Sequence, residues 1–318
     1  MNRTSFNYLI GLSLTLGLFL SCGNKPKNTN YDYEKAAEAF YADESYYPIL
    51  DELLGVFQPL HAVGELKPIY TNEEEAMTKL MKNETWLAFT SRNFSEKELK
   101  NLKDRRFLPR SIQIGYDGLA IIVNKENTDT CITVKDIKRI LKGEVKNWSE
   151  VYPKSKLGLI DVVFDNPKSS TVRYCVDSIL GGQPINSENI GAVKTSKDVI
   201  EYVERHKNSF GIIGSNWLND RHDTTNVTFN KAITVMKVSR LDSATATNSY
   251  RPYQYYLYNG NYPLIRHFYA LLNEPRSGIP SGFAHFCRLP KGQLIIFKAG
   301  LMPIQGDMEI REVQVVKE

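Results

Sequence analysis

Cysteine is scarce in this sequence. There are 4 in 318 residues, and one of them, Cys22, lies close to the N-terminus. The other three, Cys131, Cys175 and Cys287, are an odd number and can close at most one disulfide. Their apolar neighbours make buried free thiols the expectation. No Cys-x-x-Cys occurs, and no two of the five histidines (His61, His206, His222, His267, His285) have metal-site spacing, so neither a metal nor any other cofactor is expected. The sequence also lacks a Gly-x-Ser-x-Gly elbow. Gly211-Ile212-Ile213-Gly214-Ser215 has neither the lysine nor the spacing of a phosphate loop. With no activated nucleophile in view, an enzyme is not expected. Charge of one sign is missing as well: 40 Lys and Arg against 36 Asp and Glu leave +4. No basic block reaches five residues, so the electrostatic footprint of a nucleic-acid binder is absent.

What is present begins with Met1-Asn2-Arg3 and an apolar run from Tyr8 to Leu20. That run is short for a membrane span, which needs about 20 residues. It ends in Phe19-Leu20-Ser21-Cys22-Gly23. The pattern reads as a secretory signal over residues 1–21, and it resembles a bacterial lipoprotein processing site, which implies lipidation of Cys22. Residues 22–31 are polar and read as a flexible tether.

Beyond the tether, helical and strand patterns alternate, which predicts an α/β fold with a largely parallel sheet. Pro48 opens a helix with Ile49, Leu50, Leu53, Leu54 and Phe57 on one face. A helix follows over 71–80, with Glu73, Glu74 and Glu75 in its first turn, where carboxylates suit the dipole. Residues 86–90 read as a strand, and Ser95 to Glu98 as a capping box. Gly118 to Asn124 reads as a strand buried on both faces. Residues 133–143 read as a helix, 159–164 as a strand, 172–180 as a buried helix ending at Gly181-Gly182, and Ser196 as the cap of the next. Residues 210–214 and 253–258 read as strands, and 264–272 and 282–286 as helices. In such folds ligands sit at strand carboxyl ends against helix N-termini.

Ala42-Asp43-Glu44-Ser45-Tyr46-Tyr47-Pro48, Thr90-Ser91-Arg92, Tyr116-Asp117-Gly118 and Ser169-Ser170-Thr171, in that order, together resemble the phosphate-binding subunit family of ABC transporters. Ala42-Asp43-Glu44-Ser45-Tyr46-Tyr47-Pro48 looks like that family's first ligand loop. Thr90-Ser91-Arg92 before the capping box looks like the second. Tyr116-Asp117-Gly118 is similar to its inter-lobe strand, and Ser169-Ser170-Thr171 stands at its Ser-Gly-Thr helix start. Ile140-Leu141-Lys142-Gly143 with Asn147-Trp148, then Tyr262-Pro263-Leu264-x-Arg266 and the segments to Pro303, complete the set. The resemblance implies a type II periplasmic-binding fold: lobe 1 over 32–120, lobe 2 over 121–240, and a return to lobe 1 over 241–318. The two crossovers are expected near 117–124 and within 230–252. It implies that Ser45, Ser91, Arg92, Asp117, Ser169, Ser170 and Thr171 bind the ligand. The implied protein is a monomeric, lipid-anchored, extracytoplasmic receptor that passes inorganic phosphate to an ABC permease. A carboxylate in such a site accepts the proton of hydrogen phosphate and repels sulfate.

The sequence departs from the family at three places. Asp165 stands where some members carry Arg, Ser170 where the family has Gly, and Glu73 to Glu75 where another loop carries small residues. These departures leave open a receptor for a different oxyanion or a carboxylate. They also leave open a non-transport envelope lipoprotein acting as a sensor or partner-binding component.

Overall fold

Fifteen residues of β4, Arg110–Asn124, form the spine of the protein, about 50 Å long at the rise of a strand. The computed structural model describes residues 32–60, 64–186, 188–218, 231 and 233–304. The signal, the tether and Cys22 lie outside the described residues.

The other strands are β1 (Ala39–Asp43), β2 (Lys67–Thr71), β3 (Leu87–Thr90), β5 (Cys131–Thr133), β6 (Asp161–Phe164), β7 (Ile190–Ala192), β8 (Ser209–Gly214), β9 (Ile233–Val235), β10 (Lys237–Ser239), β11 (Ile265–Leu272) and β12 (Met302–Pro303). The main sheet runs β2-β1-β3-β11-β4-β8-β6-β7, with β9 and β12 also on β4, and β5 and β10 pair separately. Pairing is parallel in both wings (β1 with β2 and β3, β6 with β7 and β8). The central pairs β3–β11, β11–β4 and β4–β8 are antiparallel.

Two halves share this sheet. One core gathers Phe40, Ile49, Phe89, Ile114, Phe268 and Phe283, among others. The second half has a core on each face. Leu119, Ile121 and Val123 point into one, while Ala120 and Ile122 point into the other. This is the two-residue alternation of a strand covered on both sides. The fold is therefore α/β and two-lobed. Along β4 the core changes between Ile114 and Leu119, and along β11 between Leu264 and Phe268. Residues Leu257, Tyr262 and Leu264 pack in the second half and Phe268 in the first.

Local expectations differ from the structure in three places. Residues 264–272 form β11, not a helix, because Arg266, Phe268 and Ala270 alternate against β3 and β4; short apolar runs do not separate the two periods. Residues 253–258 form a helix, Gln254–Tyr258, despite the strand preference of their aromatics. The Gln254 side chain anchors it by donating to the carbonyls of Phe297 and Leu301, both at 2.6 Å. Thr195, not Ser196, caps the Ser196–Arg205 helix. The Ser95 capping box forms as read. Cys131, Cys175 and Cys287 are free thiols, with Cys131 only half-buried.

Candidate functional site

The site forms where the carboxyl ends of strands from both halves meet. β1 ends at Asp43 and turns through Glu44–Tyr46 into the Tyr47–Phe57 helix. β2 leads through Asn72 into the Glu73–Met81 helix. From the other half, β6 leads through Asp165 to Ser169, which caps the Ser170–Tyr174 helix. β8 ends in the Ser215–Trp217 turn. Among the described residues, no helix is long and apolar enough to cross a membrane.

At the centre lies Arg266, whose side chain is 1% exposed. Strand register places it directly opposite Asp117. Its Nε and Nη2 donate to Asp117 Oδ2 at 2.9 and 2.6 Å. Nη1 donates to Ser170 Oγ at 2.7 Å and Nη2 to Ser45 Oγ at 3.0 Å. The guanidinium carbon sits 4.8 Å from the centre of the Tyr46 ring, which is itself stacked on Phe268 at 4.1 Å. Gly214 leaves the room: a Cβ there would lie 2.5 Å from Arg266 Nη2.

Every hydroxyl expected in the site donates to a carboxylate. Ser45 Oγ and Ser170 Oγ donate to Asp43 Oδ1 at 2.5 and 2.8 Å. Ser169 Oγ and Thr171 Oγ1 donate to Asp165 Oδ1 at 2.7 and 2.5 Å. Ser91 Oγ donates to Glu73 Oε1 at 3.1 Å. Beyond the expected set, Ser215 Oγ donates to Asp117 Oδ1 at 2.5 Å and Ser196 Oγ to Glu44 Oε2 at 2.8 Å. Arg173 pairs with Glu73 and donates to Ser91 Oγ at 2.6 Å.

The structure thus brings Ser45, Asp117 and Ser170 together at Arg266, with Ser169 and Thr171 held through Asp165 beside them. Ser91 belongs to the Glu73–Arg173 group. Arg92 joins neither: its Nη1 and Nη2 each donate to a Glu98 oxygen at 2.8 Å, bracing the capping box. The ligand list read from the sequence leaves out Arg266, Asp43, Glu44, Glu73 and Ser215. Asp43 and Arg266 stand inside recognised segments. Reading 264–272 as a helix hides Arg266, because only strand register sets it against Asp117.

Electrostatically the centre is acidic. A cavity of about 120 Å³ beside it is lined by Asp43, Glu44, Tyr70, Asn72, Asp165 and Lys194, among others. Burial, then the nearby Asp43, push the Asp165 carboxyl up to about 6, against the hydrogen bonds of Thr171 and Ser169. Burial likewise raises Glu44 to about 7, opposed by Ser196 and reinforced by Asp165 and Asp43. Both groups bind protons more tightly folded than unfolded. Stability therefore falls as pH rises from the ordinary carboxylate range through about 7, and levels off above it. Melting temperature followed from about pH 5 to about pH 8 should decline and then flatten. Glu44→Gln should shallow the decline, and an unchanged profile in that variant would remove Glu44 as a source.

Comparison with known proteins gives one answer repeatedly. The chain is 24% identical over 282 residues to the phosphate-binding protein PstS of Staphylococcus saprophyticus, covering 88% of this chain and 82% of that one. With the PstS of Staphylococcus epidermidis it shares 23% identity, covering 68% and 65%. Its fold matches a protein from Clostridium perfringens solved with bound phosphate, at TM-score 0.70 and 18% identity over 84% of this chain and 99% of that one. It also matches an ABC-type phosphate transport receptor from Vibrio cholerae, at TM-score 0.62 and 20% identity over 83% and 98%. The PBP superfamily domain matches residues 40–288, a span that holds both crossings and every residue of the site, and the chain belongs to that superfamily.

Proposed function

We propose that the protein is a solute receptor that captures inorganic phosphate between its two halves and delivers it to the permease of an ABC importer. It works as a monomer outside the cytoplasm, held to the membrane by lipid on Cys22, and makes and breaks no bond. The observation that carries this reading is the convergence of the Arg266 guanidinium with the hydroxyls of Ser45 and Ser170, one from each half. Such groups bind oxyanions without a metal. The names of the relatives support the same ligand.

The charge balance specifies the form of the anion. Asp43, Asp117 and Asp165 face a single Arg266, so a fully ionised oxyanion meets net repulsion. Monobasic phosphate brings hydrogens that a carboxylate accepts, and sulfate brings none. Calorimetric titration of the purified full chain should give phosphate binding and no sulfate response. Phosphate affinity should weaken as pH rises above about 7, where monobasic phosphate loses its proton, by roughly tenfold per unit for that one proton.

A second reading is favoured by the donors themselves, since every site hydroxyl already has a carboxylate partner. In that reading the fold serves as a sensor or partner-binding component of the envelope. No phosphate heat from folded protein at any pH from about 5 to about 8 would favour it. A response to another oxyanion or to a small carboxylate would point to a different solute instead.

A further inference from the structure

We propose that Asp43 is an autoinhibitory, affinity-setting residue: a tethered carboxylate that occupies anion donors of the opposite half and holds the cleft closed without a solute. Asp43 ends β1 and is fully buried. Its Oδ1 accepts from Ser45 N at 3.1 Å, Ser45 Oγ at 2.5 Å and Ser170 Oγ at 2.8 Å. Its Oδ2 accepts from Ser170 N at 2.9 Å. Ser45 lies on the Asp43 side of the cleft and Ser170 on the other, their hydroxyls 3.1 Å apart. Arg266 donates to both hydroxyls, so its charge reaches Asp43 through them. Two carboxylate oxygens thus receive two hydroxyls, two backbone N–H groups and an indirect guanidinium, which is the treatment an oxyanion receives.

The neighbouring carboxylates act across the same gap. Glu44 Oε2 accepts from Ser196 N at 2.9 Å and Ser196 Oγ at 2.8 Å. Glu73 pairs with Arg173. Asn216 Nδ2 and Trp217 Nε1 donate to the Ser45 carbonyl at 2.8 and 3.1 Å, so the contact is locked from a second element. A carboxylate fixed on the same chain competes at high effective concentration. A solute anion enters only by displacing it, and its apparent affinity is reduced by the fraction of molecules held self-occupied. Every solute anion loses affinity by that same factor.

Closure rests on the geometry alone, while the effect on affinity rests on the phosphate reading above. The test therefore has separate readouts, all on the full chain. Small-angle scattering of ligand-free wild type should match the closed form and change little with inorganic phosphate. Asp43→Asn places an amide N–H against donors, and Asp43→Ser removes the carboxylate. Each should enlarge the radius of gyration without phosphate, contract on adding it, and bind it at least about tenfold more tightly. Hydrogen exchange on the wild type adds a measurement independent of folding in the variants: the Ser170 and Ser196 amides should be protected without phosphate. Variants as compact as wild type, or rapid exchange at both amides, would overturn closure. Variants that open but bind phosphate no better would overturn the competition by Asp43. Opening in variants that never bind phosphate would leave closure standing and defeat the phosphate reading instead.

Discussion

Arg266→Ala should cost about 3–5 kcal/mol of stability and abolish phosphate capture in whatever fraction stays folded. The large cost does not come from the lost attraction. Removing the guanidinium leaves Asp117, fully buried on β4, without its ion pair, and an uncompensated charge in a dry site is strongly unfavourable. Ser215 N and Oγ still donate to Asp117 Oδ1 at 3.1 and 2.5 Å, but Oδ2 loses both of the guanidinium's hydrogen bonds. The companion change makes the distinction: Arg266→Met with Asp117→Leu removes both charges and should recover most of the stability, since a buried pair contributes little over apolar packing. It should not recover binding. Denaturant midpoints for Arg266→Met, Asp117→Leu and the double variant give the coupling directly. A single-variant loss below about 1 kcal/mol would mean that the pair is hydrated like a surface bridge, contrary to its 1% and 0% side-chain exposure.

An equally large loss, about 3–5 kcal/mol, is expected from Phe283→Ala, but with the opposite functional signature. Phe283 is fully buried, with the rings of Phe57, Phe40 and Phe89 at 5.1, 5.4 and 5.5 Å. Truncation opens a cavity in the first core, which those rings cannot collapse to fill. No site hydrogen bond passes through Phe283, so folded protein should keep its preference for phosphate over sulfate. Because the cores are separate along β4, hydrogen exchange should quicken first in β1, β3 and the Ile279–Arg288 helix. Amides of β6 and β8 should hold longer. Uniform acceleration across both halves would show that the shared strand couples them into one unit. A changed ligand preference would show that the first core helps to shape the site.

Much of the protein is legible in the sequence because local rules agree with the fold. Gly118 to Asn124 reads as doubly buried because every residue before Asn124 is small or apolar, and the structure puts alternate side chains into two cores. The Ser95 box and the Pro48 helix start depend only on residues within four positions of each other. Ser45 and Ser170 converge because they follow the carboxyl ends of β1 and β6, which collect on one edge, and Asp117 meets them from the middle of β4. Where the reading fails, the signal is shared by two periods or lies far away in the chain. The run 264–272 satisfies a helix and a strand equally well until β3 and β4 flank it. Arg92 stands beside Ser91 in the chain, yet in space its guanidinium pairs with Glu98.

The sequence by itself determined most of the alternation of strands and helices up to residue 214, the Ser95 cap, and the order of the loops that meet at the cleft, since each depends on neighbours a few residues apart. Only the tertiary structure decided what those loops do to one another. The pairing of Arg266 with Asp117 is set by antiparallel register across 149 positions of chain. The hold of Asp43 on Ser170 spans 127. Carboxylates that read from the sequence as obstacles to an anion are, in space, partners of the hydroxyls expected to bind it. Hydrogen bonding and burial act on distance in space, which position along the chain does not encode.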